Sequence, residues 1–436
     1  MVGLVTSEFR VHNAKQFIEM FSEPEDNIYF FIAKFKSWLN SNGENIDATP
    51  PTPIDSKFEL RNVWNEMIAI KKILVSDVSL GLRRYDWTHG TIYDQYDDTD
   101  GYLHYKKWYA TTSQNQVFAC LDNGRRLSGG TYLGVASTYE PFYDPANPTV
   151  TIFNTPDGYT WRYMYTISPS EFLKFTTPSW IPCTSVEDQF GKSTGIYSVF
   201  LKGFGTGYSD STTTVTIEGD GTGATATPVI VGGQVVRINI TSPGTGYTFA
   251  RVVITGTNET PAVARAICFG RHGIGSRPAV ELGAYYVISS VNLQYGEGGV
   301  IPVFNDYRQF GYLRNPRLLD NTVATASLYN MIYRLKVTSA DLFHQDETLS
   351  VNGGTAVVVN YETADPNAKY LVVASPTVLI NVGDTLTIDT RSATVVAVED
   401  QPDLIPGTGD VLFTEMSNPI YRSGDQQESF IMASEF

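Results

Sequence analysis

The sequence predicts a mainly β protein (α+β) with a few short helices, in which a multi-segment core carries two inserted small β-sandwich or barrel modules. Three observations lead there. Charged residues make up only 18% of the chain, and Gly, Thr, Ser, Asn, 26 Tyr and 23 Phe take their place. β-branched and aromatic side chains suit a pleated surface, and the small polar residues suit turns. Most apolar runs are short and bounded by Gly, Pro or Asn. Finally, one motif recurs after 39 residues. At 436 residues the chain exceeds what one core usually serves. The predicted organisation is a first core part at 1–195, a module at 196–269, core again at 270–334, a second module at 335–403, and C-terminal core strands at 404–436.

Residues 11–21 read as an amphipathic helix in which Phe17, Ile18, Met20 and Phe21 cluster. Residues 27–35 read as a strand rich in Ile and aromatics. The stretch Thr49-Pro50-Pro51-Thr52-Pro53 is irregular, because each proline fixes φ and removes a donor. Ser56-Lys57-Phe58-Glu59 then has capping-box form. Leu60, Val63, Trp64, Met67, Ile68 and Leu74 follow at helical spacing, which predicts a helix running to residue 74. Ser168-Pro169-Ser170-Glu171 is a second helix start, with proline at the favoured first position. Between these lie predicted strands at 117–121, 149–153 and 160–167.

After residue 195 the character changes. Gly205-Thr206-Gly207-Tyr208 returns as Gly244-Thr245-Gly246-Tyr247, each followed by an alternating run, at 213–218 and 250–255. The stretch 221–226 has a looser echo in 261–266. Two copies of one β unit, neither able to bury its face alone, are expected to pack into a small sandwich or barrel. The second module shows strands at 356–360, 369–373, 385–389 and 393–398, with turns at Gly353-Gly354 and Val382-Gly383-Asp384.

The net charge of −15 argues against nucleic acid, since phosphate binding rests on Lys and Arg. The short runs Arg83-Arg84, Lys106-Lys107 and Arg125-Arg126 read as solvated surface. Cys120, Cys183 and Cys268 are widely spaced, with no CxxC, so neither a zinc site nor a disulfide framework is expected and they read as small buried hydrophobes. The first residues lack signal-peptide character, and no apolar stretch reaches membrane-spanning length. The expectation is a protein made in a reducing cytoplasm and kept in soluble phase, with no membrane partner.

No reactive grouping stands out. Asp94, Asp97, Asp98, Asp100 and Gly101 form the densest acidic cluster, but with Gly101 as the turn the calcium-loop pattern puts Tyr96 first and Lys107 last, so the cluster reads as a surface loop. His12, His89, His104, His272 and His344 are scattered. GTG stretches without Gly-Lys-Ser/Thr or a following helix are turns rather than phosphate loops. No catalytic, cofactor-binding or metal-binding residue is therefore assigned, and no cofactor is expected.

Several collinear segments resemble the gene-eight-type baseplate wedge subunits of T4-like contractile-tailed bacteriophages. They begin with Val5-Thr6-Ser7-Glu8-Phe9-Arg10, Pro53-Ile54-Asp55, the region around Trp64 and Met67, and Arg84-Tyr85-Asp86-Trp87. Asp157-Gly158-Tyr159-Thr160-Trp161 with Tyr163 and Ser168-Pro169 follows, then Tyr307-Arg308-Gln309 with Asn315-Pro316. The last is the tail from Gly409 through Asn418-Pro419-Ile420 and Gln426 to Phe436. Together they cover most of 1–185, 270–320 and 406–436. The resemblance implies a mainly β structural subunit of the virion's tail baseplate, a homodimer in each wedge of a sixfold structure, touching other wedge proteins and repacking when sheath contraction is triggered. It carries no catalytic residue or cofactor. Trp87, Trp161 and Arg308 are expected to support the chain's own fold. The two modules lie outside the resemblance and are candidates for contact with tail-fibre or peripheral baseplate proteins. A receptor- or glycan-binding tail protein, with the Tyr-rich modules as sugar platforms, is the alternative reading.

Overall fold

The computed structural model describes residues 4–294, 297, 300–303, 305–339, 343–365, 368–374, 376–423 and 425–436. It is mainly β, with four short α-helices among the described residues. The chain divides into two units. One comprises 1–17, 79–289 and 431–436, and the other 18–78 and 290–430.

The second unit is built on a five-stranded sheet with the order Leu328–Asn330, Met67–Lys72, Ile28–Ala33, Asn305–Arg314, Asp410–Arg422. Every residue of Ile28–Ala33 is buried. The strand has covered faces on both sides, so its sequence is a continuous apolar run rather than an alternation. Here one expectation is corrected. The helix after the prolines spans only Lys57–Asn65, and Met67–Lys72 is a strand. Met67, Ile68, Ala69 and Ile70 are all buried between two neighbouring strands. A short unbroken apolar run fits helical spacing and a doubly covered strand equally well, and the sheet decides. Half of the predicted capping box is present at the start of that helix: Ser56 Oγ accepts from the Glu59 backbone N–H at 3.2 Å, while the Ser56 N–H donates to the Ile54 carbonyl rather than to Glu59.

The same unit holds a closed six-stranded barrel, ordered Tyr333–Val337, Ala368–Ala374, Gly354–Asp365, Thr348–Val351, Thr385–Ile388, Arg391–Asp400. Its interior takes alternate residues, among them Leu335 and Val337, Leu349 and Val351, Leu371 and Val373, and Ala393 and Val395. Thr348–Val351 turns into Gly354–Asp365 through Asn352 and Gly353, both with positive φ (50° and 76°), which twists with the strands it joins.

In the first unit the N-terminal helix, Ser7–Met20, starts four residues before the predicted position, where Thr6 Oγ1 accepts from Phe9 N–H at 3.2 Å. Its buried residues are Val11 and Ala14. One sheet orders Tyr109–Thr111, Gln116–Asn123, Tyr159–Thr166, Ile152–Asn154. The short helix Pro169–Phe175 begins at a full capping box between Ser168 and Glu171. A further four-stranded sheet, not confined to that unit, orders Trp180–Cys183, Val78–Arg83, Tyr286–Leu293, Glu428–Glu435.

The repeat region forms a four-stranded sheet, Gln234–Thr245, Thr222–Val231, Thr214–Gly219, Ala250–Thr255, and a pair, Val199–Gly203 with Val263–Ala266. The two share one apolar core. Both copies of the motif fold alike: Gly205 and Gly244 have φ of 62° and 60°, Gly207 and Gly246 of 80° and 81°. Each motif packs on the other copy's echo. Tyr208 Oη accepts from Ala262 N–H at 2.8 Å, and Tyr247 Oη accepts from Ala224 N–H at 3.3 Å. The duplication is thus interlocked by two buried tyrosines, which is why neither copy is a free-standing unit.

Candidate functional site

The motif residues converge on fasteners. Arg84 grips Asp86 through Nε at 2.8 and 3.0 Å, and its Nη1 donates to the Thr177 carbonyl. Trp87 Nε1 donates to Ser137 Oγ at 3.1 Å, and Ser137 Oγ donates to Asp157 Oδ2 at 3.2 Å. Ser137 therefore joins the Arg84–Trp87 and Asp157–Trp161 motifs, which lie far apart in the chain.

Asp157 also accepts from the backbone N–H groups of Thr138 (2.7 Å) and Tyr139 (3.1 Å), and from Thr155 Oγ1 at 2.5 Å. Burial alone raises its carboxyl, but these donors favour the ionised form and the net direction is down. Next to it, Tyr159 stacks on Trp161 with centroids 5.2 Å apart and planes 10° from parallel. The Tyr159 hydroxyl donates to the Val135 carbonyl and accepts from Tyr93 N–H. Tyr143 stacks on Tyr163 at 3.8 Å. Trp161 is fully buried in this aromatic cluster.

Arg308 plays the equivalent part in the second unit. Only 4% of it is exposed. Its guanidinium holds Asp47 through Nε and Nη2 (2.9 and 3.0 Å), Asp306 at 2.9 Å and the Phe35 carbonyl at 2.9 Å. A bidentate fork of this kind fixes orientation as well as charge. Asp47, two residues before the proline stretch, was not distinguished by any sequence signal.

The acidic cluster borders a cleft of about 430 Å³ lined by Tyr96, Asp97, Asp98, Asp100, His104 and Trp108, among others. Its carboxylates are partnered within the chain. Arg265 spans Asp97 and Asp98, and Lys106 holds Asp100. The Lys106 hydrogen bond lowers the Asp100 carboxyl. Burial and, secondarily, the Arg10 charge lower the His104 imidazole. Sequence reasoning missed Arg265, whose partners lie in a distant part of the chain. Among the described residues no group of three or more His, Cys, Asp or Glu side chains stands close enough to hold a metal ion.

The cysteines are not activated. Cys120 and Cys183 are buried and Cys268 partly so. Burial pushes all three thiols up, Cys183 to about 12. No helix among the described residues is long and apolar enough to cross a membrane.

Comparison with known proteins gives two matches. Residues 3–122 match the family described as "Bacteriophage T4, Gp8". The baseplate wedge protein gp8 of Enterobacteria phage T4 is 24% identical over 201 residues, an alignment covering 41% of this chain. The chain spans 60% of that relative's length. The resemblance to a gene-eight-type wedge subunit is thus shown over these residues.

Proposed function

We propose that this chain is a structural component of a phage tail baseplate wedge and acts without catalysis. The observation that carries the reading is the match of residues 3–122 to the T4 Gp8 family, together with the similarity to a protein named as a baseplate wedge protein. The geometry agrees in kind. Asp157 and Arg308 are saturated by partners in their own chain, and the motifs around them hold shape. A part that must keep its form under load needs such internal locks.

In this reading the protein is a homodimer within each wedge, contacts other wedge proteins, and takes part in the rearrangement that triggers sheath contraction. It resides in the virion, after assembly in the host cytoplasm. Segments 196–269 and 335–403 are inserted modules that face neighbouring fibre or peripheral proteins, as additions at surface loops are tolerated. Deleting 198–268 is then expected to leave cooperative unfolding of the remainder; its complete loss would refute the insertion.

The test is quantitative mass spectrometry of purified phage particles, counting this chain against a known sixfold baseplate component. Two copies per wedge are expected. Absence from the particle, or a number incompatible with six wedges, would overturn the assignment.

A further inference from the structure

One corner of the five-stranded sheet differs from the rest in how it treats buried charge. Strand Asp410–Arg422 is the sheet's edge and pairs with Asn305–Arg314. At the end of that pairing Asn305 lies opposite Arg422, and Tyr307 opposite Ile420. Residues two apart on a strand share a face, so Asn305, Tyr307 and Arg422 point the same way. Glu428, at the start of the last strand, faces Arg422, with 3.4 Å between its Oε2 and Arg422 Nη1. Asn305, Tyr307 and Arg422 are fully buried, and Glu428 nearly so.

Among the described residues, seven polar atoms of these four side chains have no hydrogen-bond partner in the protein: Asn305 Oδ1 and Nδ2, Tyr307 Oη, Arg422 Nε and Nη1, and both Glu428 carboxylate oxygens. Among the described residues the Arg422 guanidinium makes one hydrogen bond, from Nη2 to the Gln294 carbonyl at 3.2 Å. Arg308, three residues along the strand from Asn305, is the control, because its guanidinium is met by two carboxylates and a carbonyl. The sheet can satisfy a buried arginine, and at Arg422 it does not. Burial pushes the Glu428 carboxyl up in spite of Arg422, so the ion pair leaves part of the desolvation cost uncompensated. The charges of Arg422 and Glu428 cancel, and donors stand beside acceptors. Such a set matches water, which both donates and accepts, rather than an ion.

The backbone supplies a second, independent observation. Between Tyr307 and Gln309 the register shifts, from Ile420 opposite Tyr307 to Met416 opposite Gln309. The extra residues include Pro419, which donates nothing to the ladder. Ser417, in this bulge, is pinned: its carbonyl accepts from Trp38 Nε1 at 3.1 Å and its hydroxyl donates to the Arg308 carbonyl at 3.3 Å. The three pairs formed by 305–307 and 420–422 are therefore set apart from the longer ladder by a fixed pivot.

We propose that Asn305, Tyr307, Arg422 and Glu428 form a polar chamber that admits water and lets the 420–422 end of the edge strand swing open at the Ser417–Pro419 bulge while the rest of the sheet stays paired. Opening carries these buried polar and charged groups into bulk water at the loss of only three strand pairs, so this end releases before any other part of the strand pair. It is a conformational strap, and it stands whether or not the chain is a wedge protein.

Hydrogen exchange with mass-spectrometric readout on the full chain tests it. Peptides covering 305–307 and 420–422 are expected to exchange at least tenfold faster than those covering 310–314 and 410–414, which come from the same two strands. The double replacement Arg422→Met with Glu428→Leu, which removes both charges at similar volume, is expected to slow that exchange at least tenfold. If it does not fold, Tyr307→Phe, which deletes one unpartnered hydroxyl, is expected to slow exchange at 305–307 measurably. Equal rates at both ends of the strand pair, or faster exchange at 305–307 in the variant that folds, would overturn the proposal.

Discussion

Replacing Arg308 by methionine tests whether the motif residues are internal locks. The change keeps side-chain bulk but removes a guanidinium that makes four hydrogen bonds of 2.9 to 3.0 Å with Asp47, Asp306 and the Phe35 carbonyl. Removing one partner of a buried ion pair costs about 3–5 kcal/mol, because the other partner stays buried and uncompensated. The side chains of Asp47 and Asp306 keep 15% and 20% exposure, so the lower half of that range, about 3–4 kcal/mol, is expected. Urea unfolding at pH 7 reads it as a lower midpoint at unchanged slope. The pH dependence adds a second signature. Burial raises the Asp47 carboxyl, but hydrogen bonds from Arg308 and from Trp38 N–H outweigh it, and the net direction is down. A depressed carboxyl contributes stability above its unfolded value, near 3.9 for aspartate, and that contribution is lost as pH falls through the folded value. The gap between wild type and Arg308→Met is therefore widest at neutral pH and narrows below about pH 4. A loss under about 1 kcal/mol, the value of an exposed pair, or a gap independent of pH, would refute the lock.

Three further predictions follow the same logic. Asp157→Ala frees the Thr138 and Tyr139 amides and the Thr155 hydroxyl it now accepts from; a fall of about 2–3 kcal/mol is expected, and a fall below half that would show the clamp to be solvated. Tyr208→Phe and Tyr247→Phe each remove one acceptor for a backbone amide; each is expected to cost about 1 kcal/mol, and a large difference between them in thermal unfolding would deny the equivalence of the two copies. Gly81→Ala places a Cβ 2.6 Å from Cγ1 of the fully buried Ile288; overpacking of about 1–3 kcal/mol is expected, absent when the same change is made in an Ile288→Ala background that lacks Cγ1 and Cδ1, and a cost that persists there would point to a backbone cause.

How much of this was legible in the sequence depended on how far apart the partners lie along the chain. The N-cap at Ser56 and the capping box at Ser168 were readable because donor and acceptor are three residues apart. The β class was readable from period and composition, and the GTGY repeat from self-similarity. What the repeat does was not, because each tyrosine bonds the opposite copy, which no local pattern records. The stretch from Met67 failed for a different reason. Helical spacing and a doubly buried strand produce the same apolar run, and only the neighbouring strands separate them. Arg308 could be picked out by its motif, but Asp47 could not, since 261 residues separate them. Arg265 escaped for the same reason.

That pattern bears on where function resides. Trp161 and Arg308 are buried and occupied by their own chain, so they shape the surface without belonging to it. In the proposed wedge role, contacts with neighbours would be made by residues that keep free surface, and those are the residues for which sequence patterns say least. If that proposal holds, a substitution that breaks a lock disturbs assembly only by lowering stability, and a stabilising change elsewhere restores it. A substitution on a contacting surface will leave the unfolding midpoint where it was and abolish incorporation into particles. Measuring both quantities for Arg308→Met and for Asp157→Ala separates the two cases: loss of incorporation at unchanged midpoint would move these residues from scaffold to interface.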